Sequence, residues 1–95
     1  MKPQNNNRSA YFRATLLAEP DGGHAVVVPE DVRERLGGPA RLRVRGTIEG
    51  VPFRSVIMQY SGIPYLGVHK ATVQKANLRG GQEVEIEVEV DLEQR

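Results

Sequence analysis

Arg54, Tyr60, Tyr65, His69 and Lys70 are the residues of this chain whose types and order could hold a ligand together. Arginine and lysine offer charge-assisted hydrogen bonds to a carboxylate or phosphate, and tyrosine offers a ring with a hydroxyl tip. They fall on a hairpin return, the loop after it and the start of a helix, so a compact fold would bring several of them to one end. Loops on a rigid scaffold are where binding residues tend to sit. The chemistry they suggest is recognition of an anionic small molecule or peptide. The competing reading makes the tyrosines caps of a core and pairs the cations with nearby acids.

Catalysis has less to work with. His24 and His69 lie far apart in sequence, without the helical-turn spacing of a metal pair. Ser9, Ser55 and Ser61 lack the strand-turn-helix glycine context of an activated nucleophile, and no glycine run has the form of a phosphate-cradling loop. Carboxylates recur at every second position from Glu83 to Glu89, which suits the solvated face of a strand better than an acid-base pair. The expectation is a protein that is not an enzyme, with no catalytic residue, no metal and no cofactor.

A rival of another class is nucleic-acid binding. Arg33, Arg35, Arg41, Arg43 and Arg45, with Lys75 and Arg79 further on, could meet phosphates. Against that stands a formal net charge of +1, which supplies no bulk pull toward nucleic acid or membrane. Nucleic acid is therefore the alternative and not the favoured partner. A small molecule or a protein, neither identifiable, is the favoured one. The basic middle and the acidic end also fit two strand faces that attract each other.

Ninety-five residues suffice for one domain without a metal or disulfide staple. The chain has no cysteine, which removes thiolate chemistry and fits a reducing cytoplasm. No apolar run has the length of a membrane span, and Met1 to Ala10 lacks the apolar centre of a signal peptide. A soluble, cytoplasmic protein is expected.

The elements that would position these residues follow from periodicity. Residues 1–10 are polar and aperiodic, so a disordered tail is expected, followed by one domain over 11–92 and a frayed end at 93–95. Tyr11 to Glu19 makes a strand with Phe12, Ala14, Leu16 and Ala18 on one face, and Pro20 to Gly23 turns it into a second strand from His24 to Val28. Pro29 opens a helix whose stripe is Val28, Val32 and Leu36, leaving Arg33, Glu34 and Arg35 to face elsewhere. Gly37 stops it in the left-handed conformation.

Arg41 to Glu49 alternates, with Leu42, Val44 and Ile48 inward, and Val51 to Tyr60 returns after a tight reversal at Glu49-Gly50. Ser61 to Pro64 reads as a longer loop, with a strand resuming at Tyr65. Lys70 to Ala76 is a second helix stopped at Asn77, and Glu83 to Asp91 is the last strand, with Val84, Ile86, Val88 and Val90 buried.

The strand-helix-strand layout occurs twice. Val68 answers Val28 at an offset of 40 residues, while Ile86 answers Val44 at 42. The fold class expected from the residues is mainly β with two short helices and an internal repeat.

Two resemblances refine this. VPEDVRERLGGPARLRV resembles the swapped-hairpin element of AbrB and MazE type bacterial proteins, in which two chains complete a barrel. With two copies in one chain, the resemblance implies a double-split β-barrel of about six to seven strands with an internal pseudo-twofold repeat, closed by a monomer. The chain is also similar to the bacterial family termed domain of unknown function 1905. That likeness rests on Phe12, Ala14 and Leu16, on Val27, Pro29 and Val32, on Gly46-Thr47-Ile48-Glu49-Gly50-Val51-Pro52-Phe53-Arg54, on Lys70, and on Gly81, Val84 and Asp91. Family likeness implies a barrel and little about chemistry.

Overall fold

The computed structural model of the chain describes residues 9–92. Most of the expected N-terminal tail and the frayed C-terminus lie outside the described residues. Ser9 and Ala10, assigned to the tail by composition, instead open the first strand, β1 (Ser9–Thr15).

Strand β2 (Leu17–Ala18) continues β1 after a break at Leu16. The other elements are β3 (His24–Val27), α1 (Glu30–Leu36), β4 (Leu42–Ile48), β5 (Val51–Tyr60), β6 (Ile63–Val68), α2 (Lys70–Lys75) and β7 (Glu83–Val90). All pairings are antiparallel. The seven strands form one sheet in the order β1-β7-β4-β5-β6-β3-β2. A single stretch of chain thus supplies both ends of the order, β1 against β7 and β2 against β3, so the sheet curls into a barrel-like form. Leu16, fully buried, holds the bend: its amide donates to the Gln82 carbonyl at 2.8 Å and its carbonyl accepts from Gly81 at 2.7 Å.

The alternation expected for β4 and β7 holds, with Leu42, Val44, Ile48, Val84, Ile86 and Val88 buried. Phe12, Val26, Ile57 and Leu66 fill the same interior. Ala18, expected inward, is exposed, because the chain leaves β7 at Leu16 and passes to the other edge. Gly46 is the gap in the β4 stripe, and a side chain there would collide with the β7 backbone: an added Cβ would lie 1.9 Å from the Glu87 carbonyl oxygen.

Helix α1 begins one residue later than expected, with Pro29 at its N-cap. Val32 and Leu36 bury its apolar face. Arg33 corrects the sequence reading: it is buried, at 9% exposure, and not solvated. Its guanidinium folds back over the helix C-terminus and donates to the carbonyls of Gly37, at 2.7 Å, and Pro39. Those carbonyls lie past the last helical turn, where intrahelical donors run out. Gly37 ends the helix at φ 66, ψ −164, a positive φ but not the compact left-handed well expected.

The loop expected over Ser61 to Pro64 is a two-residue turn. Ser61 and Gly62 take φ of 53 and 78, the paired positive values that match the twist of a tight hairpin. Ile63 and Pro64 are therefore strand residues, facing Tyr60 and Gln59. Helix α2 ends at Asn77 as expected, with φ 58. Its closing bonds run from Asn77 to the Gln74 carbonyl (3.2 Å) and from Leu78 to the Val73 carbonyl (2.9 Å), which seats Leu78 in the core. Among the described residues no helix is long and apolar enough to cross a membrane.

Candidate functional site

Strand β5 changes partner along its length. Val51 to Ile57 pairs with β4, whereas Ile57 to Tyr60 pairs with β6. The β5–β6 ladder stops at Ile57 opposite Leu66. Beyond that point the strands part, and the Ser55 hydroxyl spans the gap by donating to the Gly67 carbonyl at 2.7 Å.

The outer surface dips over this split. Leu66 and Val68 point into the core, so Tyr65 and Gly67 face outward. Gly67 stands opposite Ala25 on β3, and Ala25 opposite Leu17 on β2. Two small residues in a row give a low floor. The walls are Val56, Met58 and Tyr60 of β5, Tyr65 of β6, and Leu17 across from them, with Glu19 and His69 at the rim. The groove has a volume of about 650 Å³. Met58 and Tyr65 are direct cross-strand partners, and the rings of Tyr60 and Tyr65 lie 6.0 Å apart, tilted by 52°. Exposed Leu17, Val27, Tyr60 and Ile63 extend the apolar surface around it. A continuous apolar face on the outside of a sheet is the kind of feature that marks an interaction site.

Three of the five residues singled out from the sequence, Tyr60, Tyr65 and His69, line this groove. The other two do not. Arg54 lies one pleat away, opposite Arg45, with its Nε 3.5 Å from the Asp91 carboxylate. It borders a separate shallow depression with Pro52, Phe53 and Glu89. Lys70, the first residue of α2, is exposed and lines neither.

Sequence reasoning missed Leu17, Glu19, Ala25, Ser55, Val56, Met58 and Gly67. The outward apolar positions of β5 were legible, because Val56, Met58 and Tyr60 recur at period two. The small floor residues were not, since their importance comes from lying opposite each other across β3 and β6.

The arginines of the nucleic-acid reading are divided. Arg33 is buried, and Arg45 donates from Nε to Glu89 at 2.9 Å across the β4–β7 pair. Arg35, Arg41 and Arg43 are exposed. The acidic face of β7 is flanked on its other side by Arg13, 3.5 Å from Glu85 and 3.9 Å from Glu83. The basic and acidic strands are thus neighbours. His24 pairs with Val68, the residue before His69. The buried Nδ1 of His24 has no hydrogen-bond partner among the described residues. Among the described residues no three metal-ligating side chains cluster.

Residues 12–88 match a family model described as a domain of unknown function, DUF1905. No curated protein matches the chain.

Proposed function

The chain belongs to the DUF1905 family, and from that premise we propose that it is a non-enzymatic binding module whose ligand occupies the groove over the β5–β6 split. The observation that carries this is the groove itself: about 650 Å³ on the outer face, lined mainly by Leu17, Ala25, Val56, Met58, Tyr60 and Tyr65. Ligand sites are concave and mostly apolar, with a few polar groups that fix orientation. Ser55 and His69 are polar side chains in the lining, and the Ser55 proton is already committed to the Gly67 carbonyl. A small organic molecule or a peptide side chain with an apolar or aromatic body suits this lining. The anionic ligand expected from Arg54 and Lys70 suits it less, because neither cation lines the groove.

The test is titration of a neutral aromatic probe such as Nile red. Removal of the Tyr65 ring forfeits about 1 kcal/mol of contact, so Tyr65→Ala weakens binding roughly fivefold. Equal affinity in wild type and Tyr65→Ala, or no binding to wild type, refutes the proposal.

We also read the curled sheet as a double-split barrel with an internal twofold, the architecture of the AbrB-like resemblance. Val26 pairs with Leu66 and Gly46 with Val88, partners 40 and 42 residues apart, the offsets of the sequence repeat. Equivalent residues meet each other in this way across a twofold axis. Helix α1 packs on β1 as α2 packs on β5. On this reading the chain closes its barrel alone, works as a monomer and suits the cytoplasm of a bacterium.

A further inference from the structure

The groove carries a charge bias that its apolar lining conceals. Among the described residues, Glu19 is its one acidic lining residue, and no lysine or arginine lines it. Glu19 is exposed and is held by the turn that follows β2, its amide donating to the Gly23 carbonyl and its carbonyl accepting from Gly22, at 2.8 and 2.9 Å. Its carboxylate makes no ion pair among the described residues, unlike Glu83, Glu85 and Glu89, which face Arg13 or Arg45. Tyr60 and Tyr65 contribute in the same sense. Tyrosine rings present negative faces that attract an ammonium.

Resting on the binding reading above, we infer that the groove takes a cationic amphiphile, an amine with an aromatic or aliphatic body, whose ammonium meets Glu19 while the body lies on Leu17, Met58 and Tyr65. The register sets its length. Tyr65 is level with Val27, and Leu17 is level with Ala25. Glu19 therefore stands two pleats along and two strands across from the tyrosine, about 13 Å by about 10 Å, or roughly 16 Å between the two Cα positions. A phenyl ring carrying a six-carbon chain and a terminal amine covers most of that distance, and the reach of the glutamate side chain covers the rest. A carboxylate on the same body would place like charge beside Glu19.

The experiment titrates wild type, Glu19→Gln and Glu19→Lys with 6-phenylhexylamine, 6-phenylhexanol and 6-phenylhexanoate, followed by shifts of the groove amides in NMR. The Glu19 side chain is exposed and makes none of the described hydrogen bonds, so both variants fold, which a melt verifies. The expected order for wild type is amine, then alcohol, then carboxylate. Glu19→Gln weakens the amine about threefold to fivefold, the range of an exposed ion pair, and leaves the alcohol unchanged. Glu19→Lys inverts the preference to the carboxylate. If the alcohol binds as tightly as the amine and neither variant changes the order, the cationic assignment is overturned while the groove survives as a site. If none of the three probes binds wild type, both readings are overturned.

Discussion

Replacing Gly46 with alanine adds one methyl group at the most closely packed point of the sheet. Gly46 lies between Phe53 of β5 and Val88 of β7. The added Cβ would sit 1.9 Å from the Glu87 carbonyl oxygen, 2.8 Å from its carbon and 2.9 Å from the Val88 Cα. Non-bonded carbons settle near 3.5 Å, so β7 would have to withdraw by about 1.5 Å. The obstacle is backbone, and no rotamer change relieves it. Overpacking of a well-filled interior costs about 1–3 kcal/mol, and stretching the β4–β7 ladder adds about 1 kcal/mol for each bond weakened. We expect a loss of about 3–4 kcal/mol, against a total of roughly 5–14 kcal/mol for a domain of this size. The melting temperature, followed by circular dichroism, should fall by about 12 °C or more. Gly67→Ala is the control. Its Cβ would meet only the Ser55 hydroxyl at 3.6 Å, an ordinary contact. A strand glycine replaced without strain gains about 0.5–1 kcal/mol, so this variant should melt at or above wild type. A drop of less than about 5 °C for Gly46→Ala, or equal behaviour of the two variants, would refute close approach of β7 as the reason for Gly46.

Two further outcomes follow from the ion pairs and the helix end. A double-mutant cycle on Arg45 and Glu89, whose side chains are 40% and 34% exposed, should give a coupling of about 0.3–1 kcal/mol that shrinks with salt, since solvent screens much of the attraction. Coupling of zero at low salt would mean that the pair is not maintained in solution. Arg33→Met keeps the buried stem but removes both bonds to the Gly37 and Pro39 carbonyls. It should lower stability by about 2–3 kcal/mol in urea melts, with Arg33→Lys a poor rescue because an ammonium lacks the fork that reaches two acceptors. An unchanged midpoint would exclude the clamp.

Period and composition were enough for much of the architecture. The alternations of β4 and β7, the Val32–Leu36 stripe of α1 and the asparagine stop of α2 each depend on residues near one another in the chain. The failures share a cause, which is dependence on distant partners. Pro64 looked like loop, yet it is a strand residue because Ser61 and Gly62 reverse the chain in two residues. Arg33 occupies a helix position that a stripe of apolar residues leaves polar. Its burial depends on a stem long enough to reach carbonyls four and six residues on. Lys70 follows His69 in sequence, but the chain turns into α2 between them and only His69 lines the groove. Glu19 carried no signal in a turn rich in proline and glycine, since its role depends on which strands lie beside it.

The position of the groove follows from how the sheet changes partners. Two stretches of chain do so: residues 9–18 pass from β7 to β3 at Leu16, and β5 passes from β4 to β6 at Ile57. Both hinge residues are fully buried, because the curl is sharpest there and the side chain at the bend must point into the core. The two gaps are closed differently. At Leu16 two backbone hydrogen bonds, to Gln82 and from Gly81, tie the chain across. Beside Ile57 a serine hydroxyl on the Gly67 carbonyl bridges the parting strands, with glycine and alanine forming the floor beside it. The first gap leaves no room above it, since an added Cβ on Gly80 would lie 3.0 Å from the Ala18 Cβ. The second leaves the outer face open between Met58 and Leu17. The apolar groove thus lies over the second change of partner, and Ser55, Gly67 and Ala25 are the residues whose enlargement should abolish the proposed binding there without unfolding the sheet.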